Sequence, residues 1–201
     1  MIEPSAVATD KDTRIPPRAR LLAAAGELFY RHGIRAVGVE AIAEAAGTNK
    51  MTLYRHFPSK DELVAEYLRQ SASEADECWA DLERAHPGDP LGQLRAWFAE
   101  MADCFADTDE RGCALANAAV ELPEKDHPAR RVIEEYKTAM RLRLIRLCEE
   151  AGLTEPDLLA DEMHIMLEGA RVMAQSVGAA NLGPRLVRMG EAMIAAHTPR
   201  N

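Results

Sequence analysis

The segment between residues 50 and 60 is rich in side chains that bind polyanions. Lys50 and Arg55 stand five residues apart on a predicted short helix, and Met51 and Thr52 follow the first of them. Lys and Arg donate hydrogen bonds to O6 and N7 of guanine, whereas apolar groups such as the Thr methyl contact the thymine methyl. This helix therefore presents side chains of the kinds that bind the edges of bases.

Metal chemistry is a second candidate, because three pairs have the carboxylate-x-x-His spacing of di-iron ligands in helical bundles: Glu83 and His86, Glu124 and His127, and Asp161 and His164. The first two pairs precede prolines at helix ends, from which they cannot project into a bundle core. The third is a lone half-site. A single metal held by His164 with Glu121 or His127 is the alternative, although isolated histidines are usually structural.

The sequence offers little else that suggests catalysis. It has no Gly-rich phosphate loop, nucleophile elbow or HExxH segment, so we predict neither an enzyme nor a cofactor. The four cysteines (78, 104, 113 and 148) form no CxxC pair and are expected to be reduced. No secretory signal and no apolar run of ~18 residues is present. We therefore expect a cytoplasmic protein without a membrane partner.

Helix-breaking residues divide the chain into about nine helices, and no segment alternates in the manner of a strand. After an irregular arm at residues 1–15, the predicted helices cover residues 18–33, 39–46, 49–56, 60–84, 91–106, 113–121, 129–151, 155–180 and 183–197. Ser59 and Thr154 are the expected N-caps of two of them. The predicted fold class is all-α.

The segment VEAIAEAAGTNKMTLYRHFP, which begins at Val39, meets the steric requirements of a helix-turn-helix. Ile42 and Leu53 are apolar where the two helices would cross. Gly47 tolerates the positive φ that the turn requires. The alanines before it allow the helices to approach closely.

This segment, with the LYRHFPSKDEL run that overlaps its end, resembles the N-terminal domain of the TetR family of transcriptional regulators. The resemblance covers residues 18–68, and the remainder matches in length and helical layout. Gly38 replaces a common Thr or Ser N-cap, and Thr48 replaces a Val, but Gly is an acceptable N-cap. The resemblance implies a three-helix DNA-binding head at residues 16–62 and an effector-binding and dimerisation domain at residues 63–201.

The family resemblance also implies a function. A homodimer would bind an inverted repeat in double-stranded operator DNA, and a small-molecule effector would release it. Repression is the usual outcome in the family, and activation on the same scaffold is the alternative. A helical interaction protein that has lost DNA binding is a third hypothesis, which the intact cations at positions 50, 55 and 60 disfavour.

Roles for further residues follow from the resemblance. Tyr54 and His56 would touch phosphates, and Lys60 would hold a phosphate at the start of the fourth helix, whose N-terminus favours anions. Tyr54 is expected to serve the core as well, and His56 taken alone is an ordinary surface residue. Arginines 14 and 20 with Arg18 would reach the backbone or the minor groove, and Phe57 is expected in the core.

The distribution of charge along the chain agrees with a DNA-binding head at its N-terminal end. Residues 14–67 hold eight basic and six acidic side chains, whereas residues 68–201 hold 15 basic and 24 acidic ones, within a chain of net charge −9. A mildly basic head on an acidic body would turn the head toward a polyanion.

The last two helices have broad apolar faces, which fit either a four-helix dimer interface or packing within one chain. These faces comprise Leu158, Leu159, Met163, Met166, Gly169, Ala170, Met173 and Val177, and then Leu186, Met189, Met193 and Ile194. The residues between head and interface would enclose an effector pocket, for which the candidates are Trp97, Met101, Phe105, Asn117, Glu121, Met140 and His164. Any apolar member is equally explained as core. Asn117 and Glu121 would contact the ligand, or else cap or anchor a loop.

Overall fold

The computed structural model describes residues 15–105 and 111–199, and within those ranges the chain forms nine α-helices and no strand. The all-α prediction is therefore confirmed. The helices are α1 (Pro17–His32), α2 (Val39–Ala45), α3 (Lys50–His56), α4 (Lys60–Ala85), α5 (Pro90–Asp103), α6 (Ala114–Glu121), α7 (Pro128–Glu150), α8 (Pro156–Val177) and α9 (Leu182–Ala196). Of the predicted arm at residues 1–15, all but Ile15 lies outside the described residues.

Helices α1 to α3 form a compact head whose packing follows the helix-turn-helix pattern. Ile42 and Leu53 are fully buried where α2 crosses α3, and they pack with Leu21 of α1. Gly47 has a φ of +61° in the turn between α2 and α3. The side chain of Asn49 accepts a hydrogen bond from the backbone of Thr52 and so caps α3. The turn and the cap together fix the direction in which α3 leaves the head.

The described residues form two hydrophobic cores, one in the head and one in the body, and helix α4 contributes to each of them. Its first turns place Leu63, Val64 and Leu68 in the core of the head, and its last turns place Trp79 and Leu82 in the core of the body. The core of the head also extends to α6 and to the start of α7. The domain boundary predicted at residue 62 stays a prediction, but hydrophobic packing is continuous across it.

The body is a bundle in which α5 packs on α9, and α7 packs on α4 and α8. The approach of α5 to α9 requires a small residue at Gly190, because a Cβ there would lie 2.7 Å from the ring of Phe98. No described helix is both long and apolar enough to cross a membrane.

The predicted N-cap of α8, Thr154, is wrong. The helix begins at Pro156 after Glu155, which has a left-handed φ of +51°. Thr154 instead bonds to the end of α9: its backbone N–H and its hydroxyl both donate to the carbonyl of His197, at 2.8 and 3.0 Å. A long-range contact has displaced the local cap that the sequence favoured.

The cap at the start of α4 provides a test of the fold. The hydroxyl of Ser59 accepts a hydrogen bond from the backbone of Glu62 at 3.1 Å, so Ser59→Ala should lower the free energy of unfolding by about 1 kcal/mol. Ser73→Ala, the same change at an exposed position inside α4, should not destabilise the protein. Urea unfolding measures both, and equal stability of the two variants would contradict the capping role.

Candidate nucleic-acid interface

Helix α3 has one face buried in the head and another face open to solvent. Leu53 points into the core, whereas Met51 is 78% exposed and Tyr54 and Arg55 are also exposed. Thr52 and His56 are half-buried at the edges of the open face. The exposed side chains are those that the sequence predicted to contact DNA, and they project from a helix that the core holds in place.

Lys50 begins this face and is already paired. Its ammonium lies 2.6 Å from a carboxylate oxygen of Glu40 on α2 and 5.9 Å from the centre of the Tyr54 ring. The hydrogen bond to Lys50 lowers the pKa of Glu40, and the same bond raises the pKa of Lys50. Because both groups are exposed, the pair is weak and exchangeable. A base or phosphate that binds Lys50 competes with Glu40 for the ammonium.

Arg18 is held on the flank of the head. Its guanidinium lies 5.0 Å from the centre of the Phe57 ring and 2.6 Å from a carboxylate oxygen of Glu66. The Arg18 hydrogen bond outweighs partial burial and lowers the pKa of Glu66. Phe57 is buried, in agreement with its predicted place in the core. The contact of Arg18 with DNA stays a prediction.

Lys60 lies in an unexpected position. Its ammonium donates to the carbonyl of Ile34, at 2.6 Å, in the loop after α1 and faces the ring of Phe29 at 5.9 Å. Burial lowers the pKa of Lys60. The ammonium has three donors and uses one of them on Ile34, and its predicted contact with a phosphate stays a prediction. The backbone N–H groups at the start of α4 can bind an anion whether or not the Lys60 side chain does.

The hydrogen bonds of Asn117 and Glu121 are those of loop anchors, and contact of either residue with the effector stays a prediction. Glu121 accepts hydrogen bonds from the backbone of Ile34 at 2.7 Å and of Arg35 at 3.2 Å. Asn117 donates to the carbonyl of Arg111 at 2.8 Å. Both side chains therefore connect α6 to its surroundings, and Glu121 connects it to the head.

Gly33 makes room for this connection. Its φ is +86°, and a Cβ at this position would lie 3.1 Å from the carboxylate of Glu121. The sequence indicated only that Gly33 would end α1. The structure adds that the end of the helix must leave space for a carboxylate from the body.

A second connection between body and head was missed by the sequence analysis. The guanidinium of Arg111 donates to the carbonyls of Tyr30, at 3.0 Å, and Arg31, at 2.9 Å, in the last turn of α1. The Tyr30 hydroxyl accepts from the backbone of Arg111 at 2.8 Å and donates to the carbonyl of Gly112 at 3.1 Å. A cation suits the negative end of a helix dipole. The partners are about 80 residues apart, so no local signal announced them.

The body encloses a cavity of about 620 Å³ between α4, α5, α7, α8 and the segment before α6. Four of the predicted pocket residues line it: Trp97, Met101, Phe105 and Met140. Trp79 stacks on Trp97 with ring centres 5.7 Å apart. The sequence analysis missed Tyr136, Arg171 and Gln175 in the wall. The pocket was predicted from apolar patterning, which does not show which polar residues face the cavity.

His164 is not among the residues that line the cavity, and its predicted role there stays a prediction. It is mostly buried on α8, 3.8 Å from Glu168, and burial lowers its pKa. Asp161, its partner in the suspected metal half-site, is bound to the guanidinium of Arg141 at 2.5 Å. In residues 15–105 and 111–199 no three carboxylate, His or Cys side chains come together as a metal site.

The apolar faces of α8 and α9 divide between interior and surface. Leu159, Met163, Leu186 and Ile194 are buried within the chain. Others line an open groove of about 710 Å³ between the two helices, including Ile165, Met173 and Met189, which are all more than half exposed. We call this surface the α8/α9 groove. The sequence could not assign these residues to the interior or to the groove.

Comparison with known proteins agrees with the geometry of the head and the body. Residues 21–67 match the family model described as bacterial regulatory proteins, tetR family. The chain is 35% identical to the HTH-type transcriptional regulator AcrR of Shigella flexneri over 76% of this chain and 73% of that protein. It is 26% identical to the HTH-type transcriptional repressor DhaR of Mycobacterium sp. strain GP1 over 78% and 81% of the two chains. The crystal structure of SCO4454, a TetR-family regulator from Streptomyces coelicolor, superposes with a TM-score of 0.86 at 26% identity and covers 91% of this chain and 96% of that one.

The contacts of Glu121 provide a test of the connection between body and head. Glu121→Ala should cost about 1–3 kcal/mol of unfolding free energy, because two backbone N–H groups lose a charged acceptor. It should also speed hydrogen exchange at the amides of Ile34 and Arg35. Glu124→Ala removes only an exposed ion pair with Arg35 and should cost under about 1 kcal/mol. Unchanged exchange in Glu121→Ala would disprove the connection.

Proposed function

This chain belongs to the TetR family of bacterial regulatory proteins, and we propose that it is a cytoplasmic homodimeric repressor released from its operator by a small apolar ligand. It is a helix-turn-helix transcriptional regulator. The observation that carries the proposal is the open face of α3, on which Met51, Tyr54 and Arg55 project from a helix held by the buried Leu53. We assign no catalytic role to any residue.

In the proposed complex, α3 enters the major groove with its N-terminus first. Lys50 and Arg55 hydrogen bond to guanine edges, and Met51 and Thr52 contact thymine methyls. Tyr54 and His56 bind phosphates at the edges of this face. The backbone N–H groups at the start of α4 hold a further phosphate.

Two heads are needed for a long operator, and the α8/α9 groove supports a two-fold pairing. Exposed apolar surface such as that of Ile165, Met173 and Met189 is costly in water and marks an interface. Pairing of the same groove on two chains forms a four-helix interface with two-fold symmetry. The heads then read half-sites about one turn of DNA apart.

The cavity supports control by a ligand, because its wall includes part of the connection to the head. Gly112 and Cys113 line the cavity, and Gly112 accepts the hydrogen bond of Tyr30 at the end of α1. A ligand that displaces this segment changes the position of the head. Coupling of about 1–3 kcal/mol is enough to change operator affinity several-fold to a hundredfold.

Repression is proposed because the name of the relative DhaR describes a repressor. An activator on the same scaffold would use the same contacts with DNA. A reporter gene placed behind the operator, with the regulator present and absent, distinguishes the two.

DNA binding is tested by footprinting on the DNA that flanks the native gene, over a series of salt concentrations. The wild type should protect an inverted repeat, and its affinity should fall as salt rises. Lys50→Ala/Arg55→Ala should weaken binding by at least about 10- to 100-fold. The charge-matched control, Arg84→Ala/Arg146→Ala, changes two exposed cations of the body and should bind as the wild type does. Equal binding by both double variants would reject α3 as the reading helix.

Dimerisation is tested by placing charge in the α8/α9 groove. Ile165→Lys/Met173→Lys should yield a monomer in light scattering after gel filtration and should lose operator binding. Val120→Lys/Leu142→Lys introduces the same charge at exposed apolar positions outside the groove and should remain a dimer. A dimeric groove variant would show that the two chains pair elsewhere.

A further inference from the structure

The wall of the cavity contains one buried cation. Among the described lining residues, Glu74 and Arg171 are the two that are charged. Glu74 is exposed and accepts a hydrogen bond from Gln70 at 2.9 Å. Only 19% of the Arg171 side chain is exposed. The interior of the cavity therefore has a positive charge, and the acidic group lies in water.

Only one terminal nitrogen of Arg171 has a strong acceptor among the described residues. One terminal nitrogen lies 2.7 Å from a carboxylate oxygen of Glu168, and the other faces the thioether of Met101 at 3.7 Å. A thioether is a weak acceptor. The remaining Arg171 donors are not among the fully buried unpaired atoms of the described residues, so a molecule in the cavity can reach them. This guanidinium is therefore suited to a further anion.

The partner of Arg171 is shared. The ammonium of Lys137 also lies 2.7 Å from the same oxygen of Glu168, so one carboxylate serves two cations. Burial alone would raise the pKa of Glu168, but the two cations hold it below its ordinary value. The neighbouring His164 adds no charge when it is neutral, the form that burial favours. The cluster has an excess of one positive charge.

A second donor lies near Arg171. Tyr136 is largely buried in the wall, and burial raises its pKa to about 12. Its hydroxyl therefore stays protonated at neutral pH, and it makes no hydrogen bond with the part of the chain that the structure describes. Hydroxyl and guanidinium together suit one carboxylate.

The large side chains in the rest of the wall are apolar and include Trp79, Trp97, Phe105 and Met140. Building on the proposed function, we infer that the effector is an apolar monocarboxylate, whose acid group binds Arg171 and the Tyr136 hydroxyl while its body fills the aromatic part of the cavity. A volume of about 620 Å³ suits a molecule of this class.

The acid group would bind next to the connection with the head. Gln175, one turn after Arg171, donates to the carbonyl of Arg111 at 2.7 Å. A Cβ on Gly112 would lie 3.1 Å from the Gln175 amide nitrogen and 3.7 Å from Arg171. An acid that draws Arg171 into the cavity therefore acts on the segment that binds the end of α1.

Tryptophan fluorescence tests this inference without DNA, because the two tryptophans of the chain both line the cavity. The probes are decanoate and 1-naphthylacetate, each compared with its own primary amide. The acids should bind at least about 10-fold more tightly than the amides, as expected for a charged hydrogen bond. Arg171→Gln should abolish this preference while amide affinity is kept, and Tyr136→Phe should reduce it.

Two further variants distinguish the loss of the carboxylate site from misfolding of the protein. Glu168→Gln removes the competing carboxylate and should tighten acid binding, a gain that an unfolded protein cannot produce. Arg143→Gln removes a cation that lies over Trp79 from outside the cavity, at 5.2 Å, and should leave the preference unchanged. Equal affinity for acids and amides, or no saturable quenching by either acid, would overturn the inference.

Operator release separates this inference from the proposed function. Acids that bind in the fluorescence assay without releasing DNA would leave the carboxylate site standing and reject ligand control of the operator. Release by the amides as readily as by the acids would keep ligand control and overturn the carboxylate site.

Discussion

The position of the DNA-binding head depends on how the polar backbone groups at the end of α1 find partners. The last carbonyls of a helix have no partner within it, and the amides of the following loop also need acceptors. Here Arg111 serves the carbonyls of Tyr30 and Arg31, and Glu121 serves the amides of Ile34 and Arg35. A cation of the body thus binds the carbonyls of this backbone segment, and an anion of the body binds its amides. A tilt of the head would separate these carbonyls and amides from their charged partners, so the four hydrogen bonds restrain it.

Helix α4 completes this arrangement by a different type of interaction. Its first half is buried among apolar residues of the head and its second half among those of the body. Apolar packing has no strong directionality and tolerates small rotations, whereas the hydrogen bonds of Arg111 and Glu121 are directional. Apolar packing along α4 thus permits small rotations, which the hydrogen bonds of Arg111 and Glu121 restrain. The cavity lies beside α4 and the segment before α6, since Ser71 of α4 and Gly112 line it.

The sequence predicted what depends on near neighbours. Gly33 and Pro58 stop helices by their own backbone chemistry, and Ser59 caps α4 through a residue three positions away. The predicted helix boundaries in this region therefore lie close to the observed ones. The packing of Ile42 on Leu53 followed from spacing within one motif. Remote partners could not be predicted: Thr154 bonds to His197, and Glu121 bonds to a loop 87 residues earlier. Polar residues on apolar helices, such as Asn117, were recognised as needing partners, but the partner itself is fixed only by the tertiary fold.

The ion pair between Lys50 and Glu40 has a consequence for the search along DNA. A cation that must first leave a carboxylate of its own protein gains less free energy from a phosphate than an unpaired cation does, so it adds less to sequence-independent attraction. One anion merely takes the place of another. A guanine edge offers two acceptors in a fixed geometry and competes with Glu40 on better terms than a phosphate does. If Lys50 binds bases as proposed, the head, which holds little excess positive charge, is expected to spend little time on random sequence, and the match between bases and α3 would govern its residence.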